Sequence, residues 1–259
     1  MSTVSPFAPA PGAAPLHQQV RAQAAMETKL LLRNGEQLLL AVVIPVLALV
    51  GGVIGANQLG LDFDAPVVDV LTPGVLALAV LSTSFTSLAI ATGFERRYGL
   101  IKRLGASPLP RHGLLLGKVI AIFVVQVFQA IVICGVAVAL GWTPDGGVVG
   151  LPVALVGTFL GTLAFGSLGL LMAGTLRAEA TLAAANLVYL LLLMGGGVVL
   201  PRDTYGAAGE VLRFLPSGAL GDALRGGLTD GRCDAVAMVT LAVWAVIGSV
   251  LAGRYFKWE

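Results

Sequence analysis

Six long stretches without a charged side chain dominate this sequence of 259 residues. A helix rises 1.5 Å per residue, so about 20 apolar residues cross a hydrocarbon core of roughly 30 Å. The uncharged stretches, each at or within a residue or so of that length, are 37–61, 70–94, 119–144, 146–176, 180–200 and 235–253. The pattern predicts an all-α polytopic membrane protein with six transmembrane helices.

Composition supports lipid rather than water as the solvent around most of the chain. Only 12% of the residues are charged, and the mean hydropathy is +0.91. A soluble domain carries about a quarter charged residues, so a water-facing surface cannot be built from this supply. The length would suit one soluble domain, but the distribution of charge argues against that class of protein.

The charges that remain fall unevenly on the two sides of the predicted bundle. Twelve of the sixteen Lys and Arg residues lie before the first stretch, between the second and third, between the fourth and fifth, or after the sixth. The other side holds four arginines and nine of the fourteen acidic residues. Because Lys and Arg accumulate on the cytoplasmic side, we expect a multi-pass protein of the cell membrane with both termini in the cytoplasm.

The region before the first span divides into two parts. Residues 1–17, rich in Pro and Ala, predict a disordered cytoplasmic tail. Residues 18–37 predict an amphipathic helix that lies in the headgroup layer, although Glu27 borders its apolar side. Its polar side, which would face anionic lipid, carries Arg21, Lys29, Arg33 and Glu36. The alternative is a plain cytoplasmic extension of the first span. Residues 38–259 would form the six-helix domain.

The connection between the second and third spans, residues 95–111, indicates a short cytoplasmic helix. The residues at helical spacing within it are Leu100, Ile101 and Leu104. Pro108 and Pro110 would end that helix and turn the chain back. A compact helix between two spans is a stiff lever, and we expect its apolar ridge to sit in a groove of a partner protein. The alternative, an ordinary positive-inside loop, explains the charges but not the apolar spacing.

The connection between the fifth and sixth spans has an intermediate composition. Residues 211–228 are too polar to span the membrane and too apolar for a free loop. A pair of short helices that dips part-way into the bilayer fits this composition, with a break at Pro216 and Ser217. The alternative is an external amphipathic helix that lies flat on the membrane.

No stretch of the sequence predicts a nucleotide site or an ion pathway that could supply energy for transport. The segment nearest to a phosphate-binding loop, between Gly113 and Lys118, is one residue short and lacks the hydroxyl residue after the lysine. The cores of the predicted spans carry no ionisable side chain, which argues against a proton-coupled carrier or an ion channel with a charged filter. The energy for any transport would therefore have to come from elsewhere. The rival classes are a non-transporting membrane scaffold and an intramembrane enzyme, for which the spans offer only Ser, Thr, Asn and Gln.

Two segments resemble a known family. The first contains Glu95-Arg96, Gly99, Lys102-Arg103-Leu104, Ala106-Ser107-Pro108-Leu109 and Gly117-Lys118. The second is Leu215-Pro-Ser-Gly-Ala-Leu-Gly-Asp-Ala-Leu-Arg225. They are similar to the coupling segment and the external re-entrant segment of ABC-2 type permeases, and the chain resembles the daunorubicin-type drug-resistance exporters within that family. At Arg97 and Asp222 this sequence departs from the Glu that many relatives have.

The resemblance implies a non-catalytic membrane subunit of a bacterial ABC exporter. Its implied partners are cytoplasmic ATPase subunits, which hold ATP and Mg²⁺, a second permease subunit, identical or related, and membrane lipid. No cofactor on this chain and no nucleic-acid partner are expected, and the apolar spans favour an amphipathic or hydrophobic cargo. The expected ATPase-coupling residues are Glu95, Arg96, Arg97, Gly99, Leu100, Ile101, Lys102, Arg103, Leu104 and Pro108. The expected external gate consists of Leu215, Pro216, Leu220, Asp222 and Arg225.

Overall fold

The structure is a computed structural model that describes residues 14–60, 65–104 and 109–256. Every regular element in these ranges is helical. The α-helices are α1 (Leu16–Arg33), α2 (Gly35–Leu59), α3 (Val67–Leu81), α4 (Leu88–Arg97), α5 (Leu100–Leu104), α6 (Arg111–Ala139), α7 (Gly147–Thr175), α8 (Ala178–Gly195), α9 (Ala208–Leu212), α10 (Pro216–Leu228) and α11 (Ala235–Tyr255). A π-helical segment (Ser82–Ser87) joins α3 to α4, and a 3-10 turn (Arg202–Tyr205) precedes α9.

Six helical stretches in the described ranges are long and apolar enough to cross a membrane. They are Ala41–Leu59, Val67–Arg97, His112–Ala139, Gly147–Thr175, Ala178–Gly195 and Ala235–Tyr255. The predicted all-α fold with six spans is therefore confirmed. The second span lies at the centre of the bundle, since 78% of its apolar stretch is buried, against 17–39% for the others.

The N-terminal helix differs in its bounds from the predicted 18–37. Helix α1 already includes Leu16 and His17, the last two residues of the predicted tail, and residues 1–13 lie outside the described ranges. The helix ends at Arg33, and Asn34 separates it from α2. It is therefore a separate element and not a continuous extension of the first span.

Helix α1 packs along the beginning of α6 through two glycines. A Cβ atom at Gly113 would lie 3.4 Å from side-chain atoms of Leu16 and Val20, and a Cβ at Gly117 would lie 2.7 Å from Gln23 Cγ. Glycines four residues apart leave one face of a helix without side chains, which allows close approach. The segment between Gly113 and Lys118, which does not match a phosphate-binding loop, is thus the part of the third span against which α1 packs.

Helix α10 is enclosed by α3, α7 and α11. Its close contact with α7 uses small residues, since a Cβ at Gly150 would lie 2.3 Å from the Gly227 carbonyl oxygen and one at Gly161 would lie 2.7 Å from Leu220 Cδ1. A Cβ at Gly157 would likewise lie 3.1 Å from the Ala223 side chain. These glycines therefore serve close packing of α7 against α10 of the same chain.

The π-helical segment lies in the middle of the second span and was not anticipated from the sequence. Its hydroxyl side chains bond to nearby carbonyls: Thr83 lies 2.9 Å from the Ala79 oxygen, and Ser84 Oγ donates to Val80 O at 2.5 Å. A π turn shifts backbone pairing from i−4 to i−5 and occurs frequently at functional sites. Here it divides the central span into a long apolar part, α3, and a shorter part, α4, that leads to α5.

Candidate functional site

A buried cluster of charges joins the end of α4 to α1 and α6. The Lys118 ammonium lies 2.8 Å from Glu27 Oε1, 2.7 Å from Glu95 Oε2 and 2.9 Å from Glu95 Oε1. Gln23 Nε2 also donates to Glu27 Oε1 at 2.8 Å. The lysine side chain is only 4% exposed, so carboxylates rather than water surround its ammonium group. Glu27, which borders the apolar side of the predicted helix, is explained by this cluster.

The two arginines that end α4 hold the neighbouring connection between α7 and α8. The Arg96 guanidinium donates to the carbonyl oxygens of Gly174 and Leu176, where α7 ends. A cation at this place satisfies carbonyls that lack a partner within the helix. Arg97 forms an ion pair with Glu179, in the first turn of α8. Glu95, Arg96 and Arg97, which were predicted to serve the ATPase partner, therefore bind groups of their own chain.

A glycine turn then directs α5 away from α4. Gly99 has a φ of +71°, a left-handed conformation that L-residues with a side chain adopt only under strain, and its N–H donates to Arg96 O at 3.0 Å. The turn follows directly after the C-cap of α4, Tyr98. The direction of α5 is thus set by a backbone conformation that favours glycine.

Helix α5 presents a different face from the one that was predicted. Ile101 is 1% exposed within this single chain, so its side chain packs against its own chain and is not presented for contact with a partner. Leu100 is 43% exposed, Leu104 is half-buried, and Lys102 and Arg103 are exposed. Helical spacing correctly grouped the apolar residues, but it could not show that the chain itself covers one of them. Pro108 lies outside the described residues.

Tyr98 is an exposed residue that the sequence reasoning did not select. It is 72% exposed and stacks on Phe94 with a ring-centroid distance of 6.2 Å. Exposed aromatic side chains are enriched at protein interfaces. The signal that could have identified it is its place at the C-cap of α4, directly before the glycine turn. Tyr98, Leu100, Lys102 and Arg103 form an exposed surface that we call the coupling face.

Two of the predicted external gate residues, Asp222 and Arg225, lie close together on α10. Arg225 Nη2 donates to Val198 O at 2.8 Å and to Val199 O at 2.7 Å, which ties α10 to the segment after α8. Asp222 lies 3.9 Å from Arg225 Nη1 and 3.6 Å from Arg202 Nη1. Burial raises the pKa of Asp222 against the opposing effect of the two arginines, and burial lowers the pKa of Arg225 to about 10. These charges are poorly hydrated and depend on one another.

The break between the short helices α9 and α10 precedes the predicted one at Pro216 and Ser217. Helix α9 ends at Leu212, and Pro216 is the first residue of α10. Pro is favoured at this first helical position because its ring fixes φ and no N–H is needed there. Leu220 is fully buried on α10 and Leu215 is half-buried. Trp244 of α11 donates from its indole nitrogen to Phe214 O at 2.9 Å and so holds the break against the sixth span.

The family model for ABC-2 type transporters matches residues 18–228, which include most of α1, the coupling face and α10. This chain belongs to the ABC-2 type transporter family. It is therefore a multi-pass membrane protein and a membrane permease component of ABC transporters. None of the curated proteins compared with it matches. The resemblance to daunorubicin-type exporters stays a prediction.

Two glutamines in the third span of this ABC-2 permease connect the helices around it. Gln129 Nε2 donates to Ala41 O of α2 at 2.7 Å, and its Oε1 lies 3.0 Å from the Thr83 hydroxyl of the π-helical segment. Gln126 Nε2 donates to Val80 O at 3.2 Å, and its Oε1 accepts from the Thr162 hydroxyl of α7. Both side chains use their oxygen and their nitrogen in packing. They connect α6 to α2, α3, the π-helical segment and α7.

Proposed function

We propose that this chain is the transmembrane permease subunit of an ATP-driven exporter for amphipathic or hydrophobic cargo, such as a drug, an antibiotic or a lipid-like molecule. The observation that carries the proposal is the arrangement around α5. The end of α4 is held on several sides by its own chain, while the coupling face remains exposed. A segment that is rigidly attached and also exposed is suited to transmit force from a separate ATPase.

The ion pairs define where that force would go. Glu95 connects α4 to α6 and α1 through Lys118, and Arg96 and Arg97 connect it to the ends of α7 and α8. A displacement of α5 is therefore passed to the second, third, fourth and fifth spans together. ATP and Mg²⁺ would be bound by the ATPase subunits, whose closure pushes the coupling face from the cytoplasmic side, where both termini also lie.

The second permease subunit, identical or related, would complete the transport path. In this scheme the cavity between the two subunits opens outward when the ATPases close. Helix α10 would be a re-entrant segment, since it is too short to span but packs among three spans. Because Arg225 binds two carbonyl oxygens of the segment after α8, the gate residues on and next to α10 would move with the fifth span. These residues are Leu215, Pro216, Leu220, Asp222 and Arg225.

Reconstitution tests this function. The tagged chain is purified from native bacterial membranes with the ATPase that accompanies it and is placed in liposomes. Daunorubicin, a probe suggested by the family resemblance, and a fluorescent phospholipid serve as cargo. We expect accumulation that needs ATP and Mg²⁺, and ATP hydrolysis that rises with cargo.

A matched variant makes the test specific. The double variant Tyr98→Ala with Leu100→Ala removes apolar surface from the coupling face but no buried contact, so it should insert normally and lose cargo-stimulated hydrolysis. The exporter hypothesis is wrong if the wild-type chain purifies from native membranes without any ATPase and moves neither probe. A membrane scaffold or an intramembrane enzyme would then be the better interpretation. If the double variant stimulates hydrolysis as well as the wild-type chain, force does not enter through this face.

A further inference from the structure

An open groove of about 590 Å³ runs between α1 and the outer face of α6. One side carries three cationic residues of α1, Arg21, Lys29 and Arg33, all of them at least partly exposed. The opposite side carries Ile120 and Val124, which lie one turn apart on the third span and are 37% and 45% exposed. A basic wall thus faces an apolar wall that continues into the span.

The positive charge of the groove is not balanced within the described residues. Glu27 is the one carboxylate of α1, and it points to the other side of the helix, where it pairs with Lys118. Among the residues whose side chains the structure describes, which do not include Glu36, no carboxylate lies within ion-pair distance of the three cations or lines the groove. The ligand that fits this wall carries negative charge.

The spacing of the cations indicates the size of the negative group. Lys29 and Arg33 are four residues apart and lie on the same face of α1, so both can contact one phosphate. Arg21 lies eight residues before Lys29, about 12 Å along the helix, and adds positive charge where α1 begins. The apolar wall formed by Ile120 and Val124, together with the exposed Leu32, accepts a hydrocarbon chain.

We propose that this groove is a binding site for an anionic phospholipid from the membrane leaflet that contains α1. Lys29 and Arg33 bind the phosphodiester, and one acyl chain lies along Ile120 and Val124. Charge complementarity and the position of the apolar wall within a membrane span favour a lipid over a soluble anion, which has no chain to cover that wall. The site requires neither a cargo nor an ATPase, so it stands or falls independently of transport.

The consequence for the structure lies in the position of α1. The Glu27–Lys118–Glu95 cluster fixes one side of α1 to the spans, and a bound lipid would fill the groove on the other side. Anionic lipid would therefore stabilise the same helix that contacts the coupling segment through Lys118. Neutral lipid would add no counter-charge to the basic wall.

Native mass spectrometry of the full chain, released from nanodiscs that contain phosphatidylcholine and phosphatidylglycerol, tests the proposal. We expect one retained phosphatidylglycerol, preferred by about tenfold or more over phosphatidylcholine, because each cation near an anionic headgroup contributes to binding. The variant Lys29→Gln with Arg33→Gln should lose the preference. The variant Lys102→Gln with Arg103→Gln removes the same charge from another exposed segment and should keep it.

A space-filling variant and a soluble competitor distinguish a lipid site from general charge attraction and from a site for free phosphate. Ala25→Trp, at an exposed position that lines the groove, fills space without a change of charge and should also displace the lipid. Inorganic phosphate should not compete with phosphatidylglycerol. The proposal is overturned if both charge variants lose the lipid equally, if neither loses it, if Ala25→Trp leaves retention unchanged, or if inorganic phosphate displaces the lipid. Unchanged thermal unfolding of each variant shows that the fold is retained.

Discussion

The substitution Lys118→Met would remove the cation that two buried carboxylates share. Methionine has a similar length and an apolar character, so the space stays filled while the charge is lost. The side chains of Glu27 and Glu95 are 11% and 22% exposed, which leaves them little water as a replacement. Removing one partner of a buried ion pair costs about 3–5 kcal/mol, because the remaining charge stays buried and uncompensated. We expect a loss of stability of that size.

A matched triple variant tests whether uncompensated buried charge causes this loss of stability. Lys118→Met combined with Glu27→Gln and Glu95→Gln removes all three charges and nearly preserves the volumes. Replacing a buried ion pair by hydrophobic residues of similar volume is often close to neutral. The two glutamine amides remain polar but carry no charge, so we expect a cost clearly below that of the single variant. The triple variant should thus be more stable than the single one, although it carries more substitutions.

The assay compares the midpoints of SDS-induced unfolding of the purified chain in mixed micelles, followed by circular dichroism. The single variant should unfold at a clearly lower SDS fraction, and the triple variant close to the wild-type midpoint. The wild-type midpoint should depend little on salt, because buried pairs are screened less than exposed ones. Equal midpoints for the single and triple variants would show that Lys118 stabilises the fold by packing alone, and the argument from buried charge would be refuted.

Three further perturbations test other parts of the structure. Ile101→Ala should lower the free energy of unfolding by about 2–5 kcal/mol, since it leaves a cavity at a buried position. Leu100→Ala, at an exposed position, should change it by less than about 0.5 kcal/mol. Equal effects of the two variants would contradict the assigned face of α5. Arg225→Gln should lower the free energy of unfolding by at least about 1.5–3 kcal/mol, because hydrogen bonds from a charged group to two carbonyls are lost. An unchanged SDS midpoint would show that these hydrogen bonds contribute nothing to stability. Cys233 is exposed, so a membrane-impermeant maleimide should label it in intact cells and fail to label Cys233→Ser; labelling only after permeabilisation would reverse the proposed orientation.

The sequence by itself determined the class of the fold and the positions of its spans. Uncharged stretches of this length have few stable environments other than a bilayer, and a helix satisfies its backbone groups within the same stretch. Both facts depend on local composition alone. For the same reason the short helices α5 and α10 could be expected where composition changes between spans.

The tertiary structure decided which charges and polar groups meet. Lys118 reads as one more positive-inside residue, and only the fold brings Glu27 and Glu95 within 3 Å of it. Gln129 likewise finds its partner on α2, far away in the sequence. A helical pattern shows which residues share a face of a helix, but it does not show which element covers that face. Burial of Ile101 and exposure of Tyr98 follow from packing between distant segments, which the order of residues does not encode locally.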